Sequence, residues 1–177
     1  PGIAGCLAQL TQAYKTIHAG QEPNSTLLKA SILNTANDLG NVGPDFQFGW
    51  GHINALRALT LLEQNRHLSA QADQGLTTSH LVQIPAATKE AKVMIVWADP
   101  PTDPGAERAL LNDLDLRMVS SDGTTTYLPW KLDPTPDPGI LDTPAGKGRD
   151  SLNNVEQVSI TDPAPGTYFV YVKGTDV

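Results

Sequence analysis

Near residue 66 the hydrophobic pattern of this 177-residue chain changes period. Before that point apolar residues recur every three or four positions. Beyond it they alternate or gather in short runs rich in Val, Ile, Tyr and Trp. A period near 3.6 gives a helix one buried face, and a period of 2 does the same for a strand. A chain that uses first one and then the other is confined to an α+β architecture with the two element types segregated. The boundary falls near Asn65–Gln74, so the expected division is a helical part over residues 1–66 and an antiparallel β-sandwich over residues 67–177.

Three helices are predicted in the first part. Ile3, Cys6, Leu7, Leu10, Tyr14 and Ile17 form one stripe behind Pro1, which suits a first helical position, and Gly20 suits the stop. A second helix starts after Asn24 or Ser25 as cap and runs through LLKASILNTA, with Leu27, Leu28, Ile32 and Leu33 apolar. After a Gly-rich turn, INALRALTLLEQN carries Ile53, Leu56, Leu59 and Leu62 on one side. Three helices in so short a stretch bury little, and their stripes require something further to pack on. Either sequence outside these residues or a second copy is therefore expected against them, and self-association through the open stripes is one consequence. In the second part VQIP, KVMIVWAD, LDLRMV, VEQVSI and TYFVYV read as strands separated by Pro, Gly, Asp and Asn. VMIVWA is apolar on both faces and is expected at the centre of a sheet.

The chain carries 19 acidic and 12 basic side chains, a formal charge of −7. Such a balance repels phosphate backbones and anionic lipid, so nucleic acid and membrane surfaces are not expected partners. Cys6 is the one cysteine, which excludes an intrachain disulfide and a thiolate zinc cluster. No GxSxG, HExxH, Walker or CxxC pattern occurs, and none of His18, His52, His67 and His80 sits in a catalytic motif. No catalytic residue is assigned within these 177 positions.

Three segments resemble subtilisin-like serine proteases. PGIAG at Pro1–Gly5 is similar to the end of that family's GTSxAxPxxAG signature, LLKASILNTANDLG to its next helix, and FGWGHINALRAL to its GxGxxNAxxA stretch, with Gly49, Gly51, Asn54, Ala55 and Ala58 in order. The later strands resemble the jelly-roll, akin to the P domain of kexin-type proteases, that follows the catalytic domain in one branch. The resemblance implies the helical remnant of a subtilase catalytic domain followed by an all-β jelly-roll, with one further strand expected after the end. It implies that the Ser-His-Asp triad and oxyanion-hole asparagine lie upstream of Pro1, and that upstream catalytic-domain residues are this chain's partners. The parent would then be a secreted endopeptidase acting on protein or peptide substrates. The alternative is a non-catalytic β-sandwich that binds a glycan or protein, in which Trp50, Trp97 and Trp130 could offer stacking surfaces.

One group of residues suggests a cation. In NDLDL, Asp113 and Asp115 fall on one face of a strand, about 6.6 Å apart along the backbone. Ca²⁺ takes six to eight oxygens, and Asp99, Asn112, Asn154 and Glu156 are the further candidates, with Asp150 nearby. The resemblance implies Ca²⁺ in this sandwich, near NDLD-type segments, as a structural ion.

Overall fold

The computed structural model describes residues 1–177 and contains four helices and eight strands, with every paired strand of the sheets antiparallel. The α+β class is as the change of period requires. The chain divides into two compact units, one formed by residues 1–70 with 132–145 and the other by residues 71–131 with 146–177.

In the first unit, α1 spans Gly2–Ile17, α2 Ser25–Asn34 and α3 Ala55–Glu63. Helix α1 ends at His18, whose backbone N–H donates to the Tyr14 carbonyl. Ala19 and Gly20 then take left-handed conformations that turn the chain away. Asn24 precedes α2 as expected, but its side chain makes no capping bond. Asn54 does cap α3, accepting from the Arg57 N–H at 3.0 Å. Asn54→Ala should therefore lower the stability of this unit by about 1 kcal/mol, read by urea unfolding. Leu10, Ala58 and Leu62 are the buried centre, with Tyr14, Leu27, Leu28, Ile32, Leu59 and Leu61 packed around them. Not all of each stripe is covered. Ile3 is 57% exposed and Leu56 73% exposed, and an open groove of about 170 Å³ lies between α1 and α3, lined by Cys6, Gln9, Leu10, Ala13, Ala55, Leu56 and Leu59.

The loop between α2 and α3 is built on Asp45. Its buried carboxylate accepts from the N–H groups of Asn41, Gln47 and Phe48 at 3.0, 2.9 and 2.6 Å. The Phe48 bond is the strongest influence holding that carboxyl below its usual range. Asn37 and His52 exchange two backbone hydrogen bonds of 2.8 Å at the loop's neck. Gly51 sits there with φ +96°, and a Cβ would run into the Asn37 carbonyl. Gly51→Ala should cost about 1–3 kcal/mol by thermal unfolding, because both the backbone conformation and the space are denied to a methyl group. Residues 132–145 include a short helix, α4 (Pro138–Leu141), whose Asp137 side chain accepts from the Gly139 and Ile140 N–H groups. Asp142 anchors the segment within this unit through Asn41 and Gln47.

In the second unit β1 (Thr77–Ile84), β3 (Asp113–Val119), β4 (Thr126–Tyr127) and β8 (Gly166–Asp176) form one sheet in the order β1-β8-β3-β4. β2 (Glu90–Val96) pairs with β7 (Val155–Thr161), and β5 (Trp130–Lys131) with β6 (Gly146–Lys147). Alternate side chains from the two larger sheets share one core. Ile84, Leu116, Met118, Tyr168 and Val170 come from the first sheet and Val158 and Ile160 from the second, with Ala91, Val93 and Ile95 packed on them. VMIVWA is not a central strand. Val93–Val96 form more than half of β2, whose one sheet partner is β7, and these residues are half-buried. The long central strand is β8, which runs unbroken through Lys173-Gly174-Thr175 to Asp176. Trp97 lies just beyond β2, also half-buried.

Candidate functional site

The residues singled out as cation ligands fall in two adjoining groups in the second unit, where β3 and β7 bring their loops together. One group surrounds Trp97. Its indole N–H donates to the Asn112 carbonyl at 2.9 Å, and its own carbonyl accepts from the Asn154 side-chain amide at 2.9 Å. Asp99 accepts from the backbone N–H groups of Leu111 and Asn112 at 2.7 and 2.9 Å, and from the Asn112 side chain at 2.7 Å. Desolvation pushes the Asp99 carboxyl up, but these donors and Arg108 together hold it below its ordinary value. Asp99, Asn112 and Asn154 thus form a bracket that ties the two loops to Trp97 and its neighbours.

The other group surrounds Arg149. Its guanidinium pairs with Asp113 and reaches Asp115 Oδ1 at 2.7 Å from Nε. Hydrogen bonding to Asp113, reinforced by both carboxylate charges, raises the guanidinium's pKa. Arg108 also lies 3.4 Å from Asp113, and Thr175 donates to Asp115. Asp113 is 1% exposed, and its Oδ1 is buried with no hydrogen-bond partner. Beside them Glu156, equally buried, accepts from the Leu116 N–H at 2.6 Å and the Asp150 N–H at 3.3 Å. Burial raises the Glu156 carboxyl to about 8, against the two backbone donors, with the Asp115 and Asp150 charges adding to the rise. Asp150 orders the following turn through Leu152 and Asn153.

No three His, Cys, Asp or Glu side chains converge on a common point. The positive charge between Asp113 and Asp115 is a guanidinium, so a Ca²⁺ ion could share those carboxylates only by displacing it. Arg149 was not singled out from the sequence. The signal that could have found it is its place in GKGRDS, an arginine in a glycine-bearing loop directly before an acid. Of the tryptophans, Trp130 is covered by the Lys147 ammonium, 3.1 Å from the ring centre, and burial lowers the Lys147 pKa to about 8. Trp97 and Trp130 are both half-buried.

A second cluster lies in the first unit. Tyr14 stacks on His18 with ring centres 4.0 Å apart, and His67 lies 6.0 Å from each of them. The Nε2 atoms of both histidines are buried without hydrogen-bond partners. Burial, with a smaller contribution from His18, lowers the His67 pKa and favours its neutral imidazole.

What these two units define as a class is an α+β chain with a small helical unit and layered antiparallel sheets. No protein-family model matches the chain. One curated protein, the serine protease/ABC transporter B family protein tagA of Dictyostelium discoideum, is 25% identical over 169 residues, covering 89% of this chain. The chain spans about 9% of that protein's length. The likeness is to a protein named as a serine protease. No helix here is long and apolar enough to cross a membrane.

Proposed function

We propose that this chain is the C-terminal part of a subtilisin-like serine endopeptidase whose serine, histidine, aspartate and oxyanion-hole asparagine lie upstream of Pro1. In this reading α1 is the helix behind the nucleophile, and the second unit, residues 71–131 with 146–177, is a P-domain-like jelly-roll that stabilises the catalytic domain. The parent would be secreted and would hydrolyse peptide bonds by acyl transfer through the serine. The observation that carries the reading is the open apolar face of the helical unit. Ile3 and Leu56 are exposed beside the groove between α1 and α3. Helices from the interior of a larger catalytic domain would present such a face to the rest of it. The segments PGIAG, NTANDLG and FGWGHINAL support the same assignment, as does the likeness to a protein named as a serine protease.

The test is a fluorophosphonate probe on the protein encoded by the full reading frame and on residues 1–177 alone. The longer protein should be labelled at a serine upstream of Pro1, and the 177-residue chain should stay unlabelled. Labelling of a residue within 1–177, or none in the longer protein, would refute the proposal. The same open face should make the isolated chain self-associate, and a monomer by sedimentation at all concentrations would count against that. Ca²⁺ enters as a structural ion of the sandwich, held by Asp113 and Asp115 in exchange for Arg149.

A further inference from the structure

The paired histidines of the helical unit take no part in the proposed protease chemistry, and their geometry has its own logic. The start of α3 lies beside Cys6 and Gln9 of α1, Leu62 near its end packs in one cluster with Leu10 and Tyr14, and His67 just beyond it lies beside Tyr14 and His18, so the two helices run side by side in the same direction. Their C-terminal ends therefore meet. His18 is the residue that caps the C-terminal end of α1, and His67 stands three residues past Gln64, which caps α3. Each helix end carries about half a negative charge, so a cation is favoured where two coincide. Lys15, the basic residue of the last turn of α1, is paired with Glu22.

The two rings add ligand atoms to that field. Each Nε2 is buried and has no hydrogen-bond partner, which leaves a desolvated polar atom uncompensated. Zinc–imidazole bonds are about 2.0–2.1 Å long, and the ring centre lies roughly 1.1 Å behind the nitrogen. Two imidazoles sharing one ion therefore have centres about 5–6.5 Å apart. The observed separation is 6.0 Å, with the ring planes at 63°. Stacking on Tyr14 holds the His18 ring in place.

We propose that His18 and His67 form a two-imidazole site for a borderline divalent transition-metal ion, Zn²⁺ or Ni²⁺, at the joined ends of α1 and α3. Imidazole nitrogen selects such ions over Ca²⁺ and Mg²⁺, which prefer oxygen. With two protein ligands, water completes the coordination shell.

The test titrates the 177-residue chain with Zn²⁺ alone and Ni²⁺ alone. With diamagnetic Zn²⁺, long-range ¹H–¹⁵N spectra should show the Nε2 signals of His18 and His67 moving together at one equivalent, while His52 and His80 stay in place. With either ion, thermal unfolding of the helical unit should rise by about 5 °C or more when free metal exceeds Kd about a hundredfold. Ca²⁺ should not move the histidine signals. His67→Ala should weaken Zn²⁺ binding at least about tenfold while far-UV circular dichroism is retained, and His52→Ala should leave binding unchanged. No movement of either signal, movement of His52 or His80 to the same degree, or equal loss in both variants would overturn the site. The spectra of the unaltered chain decide the matter even if a histidine variant fails to fold.

Discussion

Arg149→Ala is expected to destabilise the sandwich unit by about 3 kcal/mol in urea unfolding at neutral pH. Asp113 is buried, and Arg149 supplies its close partner, while Arg108 stands back at 3.4 Å. Removing the guanidinium strands the Asp113 charge, and removing one partner of a buried pair costs more than the pair itself contributes. Because about half of the Arg149 side chain is exposed, water can enter the gap, which sets the expectation at the lower end of the usual range. The double variant Arg149→Ala/Asp113→Asn should recover much of the loss, since no stranded charge remains. A loss under about 1 kcal/mol would mean that Arg108 alone satisfies Asp113. The same variant probes the calcium proposal. If Asp113 and Asp115 are Ca²⁺ ligands, millimolar Ca²⁺ should restore stability to Arg149→Ala and leave the double variant unchanged. Failure of that rescue would leave the cluster as a salt-bridge lock between β3 and the loop before β7, with no ion.

Glu156 should make the sandwich lose stability as pH rises through neutrality. Its folded pKa, raised to about 8 by burial, stands above its unfolded value of about 4.5. The unfolded chain therefore releases this proton first. The stabilisation is fully present below about pH 4.5, declines between there and about pH 8, and is gone above. The two values bound the effect at up to about 5 kcal/mol, at 1.36 kcal/mol per pH unit. Glu156→Gln keeps an acceptor for the Leu116 N–H without a group that ionises, so its stability should be flatter over this interval. Denaturant midpoints measured from pH 5 to 9 for both proteins provide the check. Parallel curves would show that Glu156 titrates as an ordinary carboxyl. This slope opposes the usual carboxylate behaviour, in which paired acids such as Asp99 lose their stabilisation as pH falls.

Local patterning was enough to place most of the elements. Apolar spacing identified α1, α2 and α3, and Asn54 caps α3 at a position where the side-chain chemistry is itself a helix signal. β1, β3, β7 and β8 likewise follow from runs of β-branched and aromatic residues. The four-residue α4 was missed because Asp137-Pro138-Gly139 reads equally well as a turn.

Which strands are neighbours was decided only by the tertiary structure. A period of 2 states which face of a strand is buried but not which backbone will accept its hydrogen bonds. Thus the apolar run in β2 lies in a two-stranded sheet, while β8, the last strand in the sequence, lies between β1 and β3. The same limit applies to the two clusters. Asp113 and Asp115 share a strand face by local geometry alone, but the arginine between them arrives from a loop 36 residues after Asp113. His18 and His67 become neighbours only because α1 and α3 pack in the same direction. Composition and spacing determined the element types and the net acidic charge of this chain. Long-range packing, where the contacts that lower the free energy join residues far apart in sequence, decided which charges and rings would meet.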